Sequence, residues 1–280
     1  MATLDAHLGN SPVSPLQILS LNDAEASENR IHSDDIALKY GFTGALVSGV
    51  NVFGYMTQPL VRSYGKDWLS QGMLDVVFIK PAYQDNLLTI RTEKLGSETS
   101  QRNHITSAFN EEGVLLAKLE SWVPQEFPPV SELAALQTVS STGSVSGRAE
   151  IAWDLIEIGT PAPAYQWNPS ATDNLERVAV QRDQSPIYSG EDGFIHPYYL
   201  LDACNKALMR MFVLPAWIHT GSKLTLRNPI RVGHTIEVHA IPIDKWERKG
   251  NQFIKLYIAM WIDNEVALEV EHTAIFHIAD

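Results

Sequence analysis

Cys204 is the only cysteine in 280 residues. No intrachain disulfide can form, so the fold must be held by burial, as suits a reducing compartment. No stretch approaches the ~18 consecutive apolar residues that a membrane helix needs, and no membrane partner is expected. The opening residues MATLDAHLGNSPVSP have neither a basic n-region nor an apolar h-region, which argues against a secretory signal. Positive charge is scarce as well. With 21 Lys and Arg against 33 Asp and Glu, the formal net charge is −12. No basic stretch is available to displace counterions, so nucleic acid is excluded as a partner. There is no Gly-x-Ser-x-Gly elbow, P-loop or Rossmann fingerprint. Nor is there tight His or Cys ligand spacing, so neither metal nor cofactor is expected. What remains is the composition of a cytoplasmic globular protein, 45% hydrophobic and 19% charged.

The chain is long enough for two ordinary domains, and an internal repeat supports that division. GALVSGVNVFGYMTQPLVRSYGKDWL followed by DVVFIKPAYQDNLLTIRTEKL aligns with GFIHPYYLLDACNKALMRMFVLPAWI followed by SKLTLRNPIRVGHTIEVHAIPI. Gly49 falls on Pro197, Pro81 on Pro229 and Ile90 on Val238, each pair 148 residues apart. Each copy reads as an apolar helix followed by antiparallel strands. The first helix, about Gly44 to Tyr64, is apolar nearly all round and should be buried, with Pro59 expected to kink it or end its regular part. Strands are expected at Asp75–Lys80, Leu87–Lys94, His104–Asn110 and Val114–Val123. In the second copy the helix spans about Pro197 to Val213, with Cys204 as a small buried hydrophobe. Its strands are expected at Lys223–Leu226, Thr235–Ile241, Gln252–Trp261 and Val266–Ile278. A Ser-, Gly- and Pro-rich linker separates the copies, with a short helix expected at Ser131–Gln137. A long central helix wrapped by an antiparallel sheet is the hotdog arrangement. The expected fold is therefore α+β, a double hotdog, with units at 1–128 and 151–280 and a linker at 129–150.

Before the first helix the chain reads SENRIHSDDIALKYGF, then GALVSG. This resembles the motif of MaoC-like, or R-specific, enoyl-CoA hydratases: Asp-x-Asn-Pro-x-His, an Ala-x-x-x-Gly-Phe element, and Ile-x-His-Gly at the central helix. Asn29 and His32 stand on the family's Asn and His, and Ala37, Gly41, Phe42 and Gly49 follow. Three positions depart: Ser27 replaces the catalytic Asp, Arg30 the Pro and Ser48 the helix His. The second copy keeps Asp183-Gln184-Ser185-Pro186-Ile187-Tyr188 and Phe194-Ile195-His196-Pro197. There the Asp and Pro survive, the His has become Tyr188, and the helical piece DDIALKYG is expected to have no counterpart.

The resemblance implies hydration or dehydration of an acyl thioester, carried by coenzyme A or an acyl carrier protein. That chemistry needs an acid or base near C2 and C3 and a donor for the thioester oxygen. His32 titrates in the right range. Asn29 is a candidate to position water, and Glu28 to assist if its loop turns inward. Ser27, Ser48 and Gly49 are candidate substrate-binding residues, Gly49 through a helix-terminal N–H. Pro197 has no N–H, so Asp183, Tyr188 and His196 form a degenerate second site. Alternatives stay open: a hotdog thioesterase, although Thr43–Tyr64 contains no acid, or a non-catalytic acyl-binding protein. Homodimer formation is also open. Asp34 and Asp35 read as helix caps. His234, His239, His272 and His277 read as surface or packing residues.

Overall fold

A computed structural model describes residues 14–94, 104–136 and 147–279; the opening residues 1–13 and linker positions 137–146 lie outside that range. Five strands belong to the first half: β1 (Leu16–Leu19), β2 (Met73–Phe78), β3 (Leu87–Lys94), β4 (His104–Phe109) and β5 (Leu115–Trp122). Its helices are α1 (Asp34–Lys39) and α2 (Gly49–Gln71). The second half adds β6 (Tyr165–Trp167), α3 (Ala171–Val180), α4 (Tyr198–Met211), β7 (Ile218–Leu226), β8 (Ile236–Arg248), β9 (Asn251–Ile262) and β10 (Glu265–His277). All strands join one ten-stranded sheet in the order β1-β3-β4-β5-β2-β7-β10-β9-β8-β6. The two halves of that order mirror one another, as two hotdog units paired through β2 and β7 must. No helix among the described residues is long and apolar enough to cross a membrane.

The inner face of the sheet wraps α2 and α4. Every residue of α2 from Val50 to Val61 is buried, which explains its lack of a polar face. Burying each large apolar side chain there, such as Phe53, Tyr55 or Leu60, contributes about 1.5–3 kcal/mol. The three polar residues in this stretch are bonded. Thr57 Oγ1 donates to the Gly54 carbonyl, Gln58 Nε2 to the Gln181 carbonyl, and Asn51 Nδ2 to the Leu21 carbonyl and to Asp23. Arg177 and Gln181, on and just past α3, complete the network by donating to Asp23 and Asn51. Polar groups so deep must be paired or cost several kcal/mol. Here the pairing locks α3 of one half onto α2 of the other.

Pro59 does not end α2, which runs on to Gln71. Its break falls at Gly65, with φ 57° and ψ −136°, a conformation only glycine adopts at little cost. The expected helix at Ser131–Gln137 is a 3₁₀ turn, Glu132–Ala135, started by Ser131 Oγ accepting from the Leu133 N–H; Gln137 lies outside the described residues. The second copy does not simply lack a helix. In the first half α1 follows the 3₁₀ turn Arg30–His32, whereas α3 precedes the equivalent turn Pro186–Tyr188. A helix is therefore present on the opposite side of the motif.

At the centre, Met73 to Val77 of β2 pair with Thr225 back to Gly221 of β7. On its other side β7 pairs with β10, where the register jumps from Thr273↔Gly221 to Ala274↔His219. Thr220 is the extra residue of a β-bulge, and its Oγ1 donates to the Thr273 carbonyl. The bulge reverses the alternation of β7. Leu226, Leu224 and Ser222 face inward at period two, and then His219 rather than Thr220 is buried. Gly221 sits where a Cβ would lie 2.7 Å from the Val76 carbonyl oxygen. Gly221→Ala should therefore destabilise the protein by about 1–3 kcal/mol, the range for overpacking. A lowered urea midpoint with an unchanged m-value is expected, and an unchanged midpoint would show that β2 yields freely.

Candidate active site

Between the halves lies a cavity of about 230 Å³. The first half supplies Asn29, His32, Phe42, Ser48, Gly49 and Phe78 to its wall, and the second half supplies Asn205, Trp217, His219 and Ile275. Among the described residues the lining is mainly apolar and contains no Asp or Glu, and Lys80 is its cation. A carboxylate-free wall matters in a chain of charge −12, because an anionic ligand meets no like charge there.

His32 ends the 3₁₀ turn Arg30–His32, and Asn29 caps that turn by accepting from the Ile31 N–H. The same Asn29 amide accepts from the Trp217 N–H at 3.1 Å and donates to the Trp217 carbonyl at 3.0 Å. The Arg30 N–H adds a bond to the Pro215 carbonyl. The turn is thus clamped to the other half just ahead of β7. His32 Nδ1 lies 2.7 Å from the Leu46 carbonyl. A carbonyl only accepts, so Nδ1 carries the proton and Nε2 holds the lone pair. That lone pair faces Asn29 Nδ2 at 3.3 Å, the longest of the contacts that fix the ring. Burial pushes the His32 pKa below its ordinary 6.5, against smaller opposing effects of the Leu46 carbonyl and Asp23. The ring is neutral near pH 7 and able to accept a proton.

Gly49 opens α2 and lines the same cavity as this ring. Its N–H belongs to the first helical turn, where no intrahelical acceptor exists and the helix dipole is positive. A Cβ at Gly49 would meet the Phe78 ring at 3.3 Å and His219 Nδ1 at 3.4 Å, so a side chain there would fill the cavity. Ser48, the N-cap, makes no side-chain capping bond, and its buried Oγ has no partner. Asn205 Oδ1 and His219 Nδ1 are likewise buried without partners. Three unsatisfied polar atoms along one cavity wall are a cost unless a ligand or water meets them.

Two of the residues singled out around the first motif fall elsewhere. Glu28 does not turn inward: its carboxylate makes a two-pronged pair with Arg148, at 3.0 and 3.1 Å. A bidentate guanidinium partner at the surface outcompetes an apolar wall for that charge. Ser27 does not line the cavity either, and its hydroxyl donates to the Asn29 carbonyl. Asn29 reaches the wall, but its amide is committed to Trp217 and the ring, so it positions the turn rather than a water.

The second motif is closed. Pro197 offers no N–H, and the next one, that of Tyr198, donates to His196 Nδ1. Asn174 of α3 accepts from the His196 N–H and donates to the Tyr188 and Phe194 carbonyls, sealing the loop. Asp183 lies 3.5 Å from His196 Nε2. His196 and Tyr188 are fully buried, and burial holds the former's pKa low and the latter's high. None of the three lines the cavity that holds His32.

His219 and Asn205 were not legible as site residues in the sequence. The strand expected at Lys223–Leu226 in fact begins at Ile218, so Gly221 falls inside it as a mark of the bulge, and His219 is buried only because of that bulge. Of the histidines read as surface or packing residues, His272 is fully buried and joined to Ser222. Among the described residues no group of three or more His, Cys, Asp or Glu is placed to hold a metal.

No protein-family model matches the chain, and no curated protein sequence does. Solved structures do. A protein named as a MaoC domain dehydratase from Chloroflexus aurantiacus superposes with TM-score 0.67 at 11% identity, over 95% of this chain and 94% of its own. A conserved hypothetical protein of Mycobacterium tuberculosis, described as having a double hotdog fold, gives 0.64 at 9% identity, over 95% and 96%. One named as an oleoyl thioesterase from Lactobacillus plantarum gives 0.54 at 13%, over 98% and 99%. At these identities the shared property is architecture, and this chain has the α+β double hotdog fold found in MaoC-like dehydratases.

Proposed function

We propose that the protein is an acyl-thioester hydratase or dehydratase, interconverting 2-enoyl and 3-hydroxyacyl groups carried on coenzyme A or a carrier protein. The observation that carries this reading is the pairing, in one mainly apolar cavity, of a neutral anchored His32 with the N-terminus of α2 at Gly49. In hydration, the water oxygen bonds to C3 as one water proton passes to His32 Nε2. The C2=C3 electron pair moves through C1 onto the thioester oxygen, where the Gly49 N–H meets the developing charge. The enolate then collapses, taking the proton from His32 onto C2. One imidazole, acting first as base and then as acid, balances the reaction without a carboxylate at position 27. Water must displace the long Asn29 contact at Nε2, which is the weakest restraint on the ring.

The thioesterase alternative needs a carboxylate to activate water, and among the described residues none lines this cavity. We also propose the unit boundaries 1–128 and 151–280, with 129–150 crossing between them.

His32→Ala should lower turnover of 2-enoyl or 3-hydroxyacyl thioesters by ~10²–10⁴-fold, the range for loss of a positioned acid–base group. Tyr188→Phe should change it little, because that hydroxyl lies outside the cavity. Steady-state assays of the parent and both variants decide: equal rates for parent and His32→Ala would remove His32 from the mechanism. Ligand binding without turnover on a broad panel would leave an acyl-binding module instead.

The pH profile is a separate check. Burial lowers the His32 pKa, so its neutral form persists below pH 6.5. The kcat/KM value should stay flat through neutrality and fall only as pH drops through a midpoint below 6.5. A midpoint above 6.5 would contradict a desolvated base.

A further inference from the structure

We infer that His219 is a second donor to the thioester oxygen, completing with the Gly49 N–H an oxyanion hole shared by the two halves. This rests on the acyl-thioester reading of the cavity. It concerns a residue outside the motif, brought in by the bulge at Thr220.

Three observations support it. First, His219 Nδ1 faces the cavity, buried and without a partner among the described residues, where a Gly49 Cβ would lie 3.4 Å away. A ligand oxygen reaching the α2 N-terminus is therefore also within reach of this nitrogen. Second, the other ring nitrogen is occupied. His219 Nε2 lies 2.9 Å from Ser222 Oγ, and Ser222 Oγ lies 3.0 Å from His272 Nδ1.

Third, the chain His219–Ser222–His272 has a preferred direction. A serine hydroxyl donates once, so the chain runs one way or the other. His272 Nε2 is fully buried with no partner. Either direction leaves one buried N–H without a protein acceptor, on His272 Nε2 or on His219 Nδ1. Only His219 lines the cavity, where a ligand oxygen can accept that bond, so His272 carries its proton on Nδ1. It then donates to Ser222, Ser222 donates to His219 Nε2, and the His219 proton sits on Nδ1, facing the cavity. Burial holds His219 well below the usual imidazole range and His272 adds to that, with the Gly221 backbone opposing. The ring is a neutral donor. It polarises a carbonyl without giving up its proton, which suits a mechanism in which His32 alone moves protons.

The test combines a spectroscopic and a kinetic measurement. The probe is a ketone analogue of an acyl pantetheine thioester, with CH₂ in place of sulfur. Nitrogen-15 NMR of the parent should show His219 protonated at Nδ1, with that proton moving downfield as the ketone binds. In Ser222→Ala the tautomer preference should be lost. A bare Nδ1, or no response of His219 at saturating ketone, would overturn the inference. In turnover of the crotonyl pantetheine thioester, His219→Leu should reduce kcat by ~10²–10³-fold, as for loss of one oxyanion donor, with KM little changed. Turnover by the parent that His219→Leu leaves intact would refute His219 and spare the hydration reading. A parent without turnover whose His219 still responds to the ketone would refute hydration and support thioester binding at His219. If His219→Leu does not fold, Ser222→Ala decides: a reduced kcat supports the inference and an unchanged kcat overturns it.

Discussion

The antiparallel pairing of β2 with β7 is the constraint on which the rest of the molecule depends. It joins the two half-sheets into one, and so places the two buried helices under a common roof. The pairing requires close backbone approach at Gly221, where the Val76 carbonyl leaves no room for a side chain. Beside that glycine the bulge at Thr220 turns His219 from the outer to the inner face. The junction that holds the halves together also builds the wall of the cavity between them. Fold and site are coupled by a single irregularity in one strand.

A second constraint is polar. Asn29 binds both the N–H and the carbonyl of Trp217, fixing the turn of His32 to the opposite half. Asn51, Asp23, Arg177 and Gln181 do the same for α3 against α2. Such groups are costly to bury unless fully paired, and their pairing admits one relative placement of the halves. Apolar burial alone would tolerate many. The two motifs, similar in sequence, end in different states for this reason. The first is held open at a helix that begins with Gly49. The second is sealed by Pro197, by the Tyr198–His196 bond and by Asn174.

Within the candidate site, the sequence was informative where chemistry is local. A histidine three residues after an asparagine, followed by a serine–glycine helix start, marked His32, Asn29, Ser48 and Gly49, and all four line the cavity. It misled at Glu28, because nothing near position 28 reveals that Arg148, 120 residues away, captures the carboxylate. It was silent about Asn205, which reaches the wall from α4, a helix of the other half.

Periodicity, the 148-residue repeat and the buried character of Val50–Val61 determined, from sequence alone, two helix-and-sheet units and most of their strands. These are short-range or repetitive signals, and hydrophobic pattern encodes them directly. The short edge strands β1 and β6 carry too few residues for a pattern, and the position of α3 ahead of its motif follows from packing against α2. The inward turn of His219, its link through Ser222 to His272, and the surface pairing of Glu28 were decided by tertiary structure. Each depends on which distant backbone lies within ~3 Å, the range over which a hydrogen bond or a steric clash acts.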